Sequence, residues 1–495
     1  MKIESFSETQ KYRAQEVLFL LIIALSSVVV GILVAEGGLL SNVFLYILLY
    51  GLVVGGSLIV TLDKLVFLYV FLVIGLPLHN LRVAELGVLE IAGLSIHVYD
   101  ILLMVLMGSW LTRLALGKAH FIWGNLYFPL GLFAFWLTVS TFVGVYNGHS
   151  RGVILTDLLS FMPYFVLIPV TMSALQQPDK QAKMFMIALV GGTIFNGILT
   201  VFANLLGPYH WLSALFPPAA LQYRFASSSA PLGLWSFVIC AQMLFSISRI
   251  HIGWLMFFLA SLVLNGYVLI ISASRTFWLG TIASLTILVF LNLKAYGLNR
   301  FSLAILRFLL VVSVILLVLN ILLAGLYNEN LQSFKQELGA RLRVDFVQDL
   351  DPRLEFYRIG WPQLSANPLG SGTGTSWVYM GIIETGLLDN VYLTAALKYG
   401  IPGLAILLWF WISPVVRCIR IRRFGRELDI YAKGLLTAIT AVIPTVLVLN
   451  LNVAHLLYNR QTVVAMAIAM AWIDKMYLSL LGRKPDWSDH SPGLL

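Results

Sequence analysis

The segment Ser272-Ala273-Ser274-Arg275-Thr276 sets hydroxyls around one guanidinium, between two long apolar runs. A guanidinium is a planar fork of donors that fits phosphate oxygens, so the group suits an oxyanion or phosphate cradle. A snorkelling arginine at a tight turn would use the same residues. Tyr223-Arg224-Phe225 followed by Ser227-Ser228-Ser229 has similar character, again just ahead of an apolar run. Two such arginines at membrane level fit one shared anionic ligand, and a lipid-linked diphosphate is the candidate. Further along, Asp351-Pro352-Arg353-Leu354-Glu355-Phe356-Tyr357-Arg358 brings two more, on one short helix.

Acids and a histidine supply candidate bases. Glu384 and Asp389 lie in Glu384-Thr385-Gly386-Leu387-Leu388-Asp389-Asn390-Val391-Tyr392, which leads into an apolar run. Asp389 can cap that helix, or it or Glu384 can take a proton from a sugar hydroxyl, with membrane burial raising its affinity for that proton. His455, near Asn459 and Arg460, is the histidine most worth watching. Gly370-Ser371-Gly372-Thr373-Gly374 permits positive φ and close backbone approach, yet lacks the GK[ST] of a nucleotide loop. Asp157 and Lys398 lie inside apolar segments, where an ionisable group is functional by default. Arg307, Asp474 and Lys475 read as snorkelling residues near helix ends. The acids Asp345, Asp349, Asp351 and Glu355 read as a solvated helix face, so no metal site is expected, and neither Cys240 nor Cys418 suits a disulfide.

These residues must be positioned by helices in lipid. The chain has 495 residues, 59% hydrophobic and 11% charged, with a mean hydropathy of +0.89. A soluble domain would carry about a quarter charged residues. Crossing a hydrocarbon core takes about 20 apolar residues, which gives about fourteen spans. They fall at 15–36, 39–62, 65–78, 98–117, 126–146, 152–175, 183–206, 231–249, 252–272, 276–294, 302–326, 391–416, 432–454 and 461–481. No cleavable leader is visible before the first. With both termini cytoplasmic, most basic residues fall inside, including Arg417, Arg420, Arg422, Arg423 and Arg426. That orientation absorbs the net charge of +9 and leaves no case for nucleic acid. The expected fold is thus an all-α polytopic bundle, one membrane domain over 1–495. Residues 327–390 form a large, partly helical periplasmic loop, with an amphipathic helix over Asn328 to Val347.

In order and spacing, these pieces resemble the O-antigen polymerase and ligase superfamily (Wzy/WaaL type). The resemblance covers mainly residues 224–410. It rests on Ser-Ala-Ser-Arg-Thr between paired spans, Arg353 and Arg358 ahead of Trp361, and Asn367-Pro368-Leu369-Gly370-Ser371-Gly372. Asp389-Asn390-Val391-Tyr392-Leu393 and Gly400-Ile401-Pro402-Gly403 complete it. The resemblance implies a GT-C-like, inverting and metal-independent transferase of the bacterial inner membrane. It would be fed by undecaprenyl-diphosphate-linked oligosaccharide at the periplasmic face and need no cofactor. Arg224, Arg275, Arg353 and Arg358 would hold the diphosphate. Ser274, Gly370, Gly372, Asn390 and Tyr392 would meet the glycan, and Asp389, Glu384 or His455 would serve as base. Ligases of this family place a histidine where this chain has Asp389, and an acid is frequent where it has Lys398. A polysaccharide polymerase is therefore the first expectation, a ligase acting on lipid A core or protein the second, and a lipid-linked oligosaccharide flippase the third. A chain-length regulator and a separate flippase are the implied partners, besides membrane lipid.

Overall fold

The computed structural model describes residues 51, 53–76, 98–206, 230–246, 251–272, 274–293, 357–358, 360–375, 390–424, 428–451 and 455–481. Among them there is no strand; the fold is an all-helical bundle. The helices are α1 (Leu62–Gly75), α2 (Val98–Ala115), α3 (Tyr127–Tyr146), α4 (Arg151–Ala174), α5 (Pro178–Leu206), α6 (Ala230–Ser246) and α7 (Ile252–Ile271). They continue with α8 (Arg275–Leu293), α9 (Val391–Phe424), α10 (Ile430–Leu449), the single turn α11 (His455–Tyr458) and α12 (Arg460–Leu481). Eight are long and apolar enough to cross a bilayer, namely α3, α4, α5, α7, α8, α9, α10 and α12. The expected spans at 15–36 and 302–326, and the amphipathic helix over Asn328 to Val347, lie outside the described residues.

Helices α4, α6, α10 and α12 form the centre. The walls of α12 are buried from Gln461 through Asp474, and those of α6 from Ala230 through Met243 but for Phe237. Small residues let these backbones approach, and side-chain hydrogen bonds join them where lipid could supply no partner. Thr193 on α5 donates to Ser236 on α6 at 2.8 Å, and Asn265 on α7 donates to Thr193 at 3.2 Å. Gln242 and Asn292 exchange amide bonds between α6 and α8.

The longer-range polar contacts sort by end. At one end, Arg113 donates to the carbonyls of Ser57 and Val60, Trp472 donates to Pro178, and Asp179 accepts from the Asp429 N–H. At the other, Arg460 meets Asp100, His149 meets Thr373, and the Val391 N–H donates to Asn450. Each contact joins helix ends that alternate threading puts on the same side.

One expectation is corrected here. Asp474 does not snorkel; it is fully buried, 2.9 Å from Arg417 on α9, and accepts from the Leu126 N–H at the head of α3. Three segments meet at this carboxylate, so water is excluded and the charge is held by pairing instead. Removing one partner strands the other charge, which costs about 3–5 kcal/mol in such settings. Asp474→Ala is therefore expected to lower the thermal unfolding temperature in detergent sharply, and Asp474→Leu combined with Arg417→Met to restore most of it. Equal unfolding temperatures for wild type and Asp474→Ala would contradict this account.

Candidate functional site

At the head of α9, Asn390 is the capping residue. Its side-chain oxygen accepts from the Tyr392 and Leu393 N–H groups, both at 2.9 Å. The cap expected of Asp389 thus belongs to its neighbour. The Asn390 amide nitrogen donates to the Tyr357 hydroxyl, so the middle of the large loop is tied to the head of α9 next to Arg358. From there a helical stretch over 360–366 lies on α9, with Gly360 close against Leu393 and Leu397. Tyr392 in turn donates to the Leu447 carbonyl near the end of α10.

The glycine-rich segment follows and is held on all sides. Gly370, Gly372 and Gly374 have φ of 87°, 94° and 81°, in the left-handed region that side chains disfavour. Ser371 and Gly372 donate to the carbonyls of Leu397 and Lys398 at 2.8 and 3.0 Å, and Ile401 donates back to Pro368 at 2.9 Å. Thr373 donates to the Ser140 carbonyl at 3.0 Å, and its own carbonyl faces His149 Nδ1 at 2.9 Å. Gly372 rests on the backbone of Gly144, where a methyl group on either residue would overlap the other segment. These pairings are possible because α9 breaks at Gly400, with φ 72°, freeing carbonyls that a continuous helix would use itself. Trp136 takes another, donating to Tyr399 at 2.6 Å. Gly370 and Gly372, expected to meet glycan, are thus enclosed by backbone.

Beneath this segment lies an ion pair. Lys398 Nζ is 2.7 and 2.8 Å from the two carboxylate oxygens of Asp157, and their side chains are 7% and 3% exposed. Asp157 also accepts from the Gly374 N–H at 2.8 Å. Each residue was singled out by its charge; their partnership joins positions 241 apart in sequence and had no local signal.

Around the end of α10 the other candidates gather. Ser274 precedes α8, its carbonyl accepting from Phe277 and Trp278, and its N–H faces Ser272 Oγ at 3.4 Å. Half-buried Arg275 opens α8, and the dipole at a helix N-terminus also favours an anion. Phe277 lines a small cavity with Pro231, Leu234, Val446, Leu449, Asn450 and Thr462. Asn450 accepts from Val391 through its carbonyl and from Leu456 through its side chain. The heads of α8 and α9 and the turn carrying His455 thereby meet around one residue. Arg460 is engaged nearby, with Asp100 at 3.7 Å, the Leu159 carbonyl, and the Tyr99 ring at 5.2 Å. Arg224, Arg353, Glu384 and Asp389 lie outside the described residues. Among the described residues no three or more His, Cys, Asp or Glu side chains converge as a metal set.

The architecture defines a polytopic helical membrane protein. Residues 260–408, from within α7 to just past the break in α9, match the family model described as O-antigen ligase. That match supports the likeness to the O-antigen polymerase and ligase superfamily, and with it a membrane glycosyltransferase of that type acting on lipid-linked glycan. No curated protein matches the chain.

The capping geometry gives a specific expectation. Asn390→Ala should cost about 1 kcal/mol of stability through the lost cap. It should also loosen Tyr357, so protease cleavage at the exposed Tyr357–Arg358 position of the loop should rise more than unfolding alone explains. Cleavage that simply follows global unfolding would refute the tie.

Proposed function

We propose that the protein is a polysaccharide polymerase of the bacterial inner membrane, working at its periplasmic face. In this reading it moves glycan from undecaprenyl diphosphate to the growing end of a second lipid-linked glycan. The observation that carries the reading is the meeting of α8, α9 and α11 around Asn450, since α8 and the head of α9 belong to the stretch, residues 260–408, that matches the O-antigen ligase family. Arg275 is the first residue of α8 and Arg358 follows Tyr357, the residue tied to Asn390, and in this reading their guanidinium groups face the diphosphate.

The chemistry follows from the charge. An acceptor hydroxyl attacks the anomeric carbon from the face opposite the diphosphate, and the bond from that carbon to the phosphate oxygen breaks. The electron pair leaves on the diphosphate, where Arg275, Arg358, Arg224 and Arg353 stabilise it without needing to reorganise. The hydroxyl proton passes to Asp389, Glu384 or His455 as general base. Ser274, Asn390 and Tyr392 supply hydrogen bonds to the glycan. The diphosphate carries the activation energy, so neither metal nor nucleotide is required. A flippase delivers the donor, and a chain-length regulator sets how often the cycle repeats.

Purified protein in lipid nanodiscs, given lipid-linked repeat units and no nucleotide, should make longer lipid-linked glycan. Arg275→Ala should lower turnover by roughly 100-fold or more, the scale of losing one preorganised charge at a developing oxyanion. Asp389→Ala tests the base in the same assay. Product formed only when lipid A core is added would make the protein a ligase, and vectorial movement with no new glycosidic bond would make it a transporter.

A further inference from the structure

We propose that Asp157 and Lys398 are a positioning pair that sets the large loop, and with it Arg358, against the bundle. The kinetic part of this proposal rests on the glycosyltransferase reading; the structural part stands apart from it.

The pair lies at the base of the loop attachment. Asp157 is in the second turn of α4 and Lys398 two turns into α9, and the carboxylate holds the Gly374 N–H as well as the ammonium group. Gly374 cannot retreat in the other direction, because Ile154 and His149 of the same corner are packed against it. From Gly374 the chain runs back through Gly372, bonded to Lys398 by its backbone, and through Pro368, bonded to Ile401. It continues through the 360–366 helix to Tyr357 on Asn390. Arg358 is thus placed by a chain of contacts whose far end is this ion pair. The attachment is asymmetric in a telling way. Most of its bonds are between backbone atoms and hold whenever the segment is in register. Side chains select the register: Asn147 donates to the Ser371 carbonyl, His149 meets that of Thr373, and Asp157 accepts from the Gly374 N–H as the charged member of the set.

The arrangement can be tested by distance and by rate. Cys240 and Cys418 are both buried, so cysteines placed at the exposed positions Tyr146 and Ser365 can be spin-labelled selectively. In otherwise wild-type protein the label-to-label distance distribution should be narrow. It should broaden in Lys398→Met and in Asp157→Asn, and stay narrow in Lys398→Arg, which keeps the charge. Gly374→Ala shows what a displaced segment looks like in this measurement, because its methyl group would overlap Ile154 and His149 with both charges in place. If Lys398→Met misfolds, Lys398→Met combined with Asp157→Asn, which removes both charges together, answers the question.

In the polymerisation assay, kcat should fall on the order of 100-fold in the broadened variants, the scale of a misplacement of about 1 Å, while KM for the lipid-linked donor changes little. Lys398→Arg should keep most of kcat. An unchanged distance distribution after charge removal would overturn the proposal, and so would unchanged kcat in variants whose distribution has broadened. If wild-type protein transfers no glycan at all, the glycosyltransferase reading fails, while the distance measurement still decides whether the pair sets the loop.

Discussion

Hydrocarbon offers no partner to a charge or to a backbone polar group, so each must find one within the protein. Both ends of this bundle are organised by that requirement. Asp474 is met by Arg417 and the Leu126 N–H, and Asp157 by Lys398 and the Gly374 N–H. In each case a carboxylate joins two helices and also fixes a non-helical piece of chain. The two sites differ in what that piece is. Asp474 secures the entry to α3, a helix start. Asp157 secures a stretch of the loop that makes up the candidate site.

The same requirement explains the break in α9. An unbroken helix from Val391 to Phe424 would satisfy its own carbonyls and leave none for a neighbour. The turn at Gly400 releases those of Leu397, Lys398 and Tyr399, and these accept from Ser371, Gly372 and Trp136. Backbone groups of the loop are thereby satisfied within the protein. Glycine is needed on both sides of this seam, at Gly400 for its positive φ and at Gly144 and Gly372 for close approach. The Gly400-Ile401-Pro402-Gly403 sequence and the Gly-Ser-Gly-Thr-Gly sequence are two halves of one joint.

Much of the scaffold was legible in the sequence, because hydropathy reports directly on the solvent a helix meets. The spans expected at 126–146 and 461–481 are Tyr127–Tyr146 and Arg460–Leu481. Where expectation and structure part, hydropathy was answering a different question. Helix α9 runs to Phe424 instead of 416, since Cys418 and Ile421 stay buried while Arg420 faces out. Hydropathy sees the membrane end there, but the helix does not end. Helix α10 stops at Leu449 because Asn450 turns the chain and bonds Leu456. At the site, Arg275, Asn390 and Tyr392 were legible as residues at the mouths of helices. The meeting of their neighbours Phe277 and Val391 at Asn450 was not, since it depends on how α8, α9 and α10 pack. The snorkelling assigned to Asp474 failed for the same reason: a residue near a helix end is free to reach water only if no neighbour closes over it.

A last question is why the loop joint uses an ion pair at all. Replacing a buried pair by apolar side chains of similar volume is often neutral or stabilising, so stability alone gives no reason to keep one. Here the reason lies in the third member. The Gly374 N–H is buried and needs an acceptor, and the Asp157 carboxylate of α4 is the one that meets it. A carboxylate has lone pairs enough for this N–H and a second donor. Once Asp157 is there, its charge must be neutralised, and Lys398 comes from the helix whose backbone already carries Gly372. The order of dependence therefore runs from the loop's backbone to the acid and then to the lysine. An apolar substitute could fill the volume of the pair, but it would leave the N–H of the loop with nothing to bind.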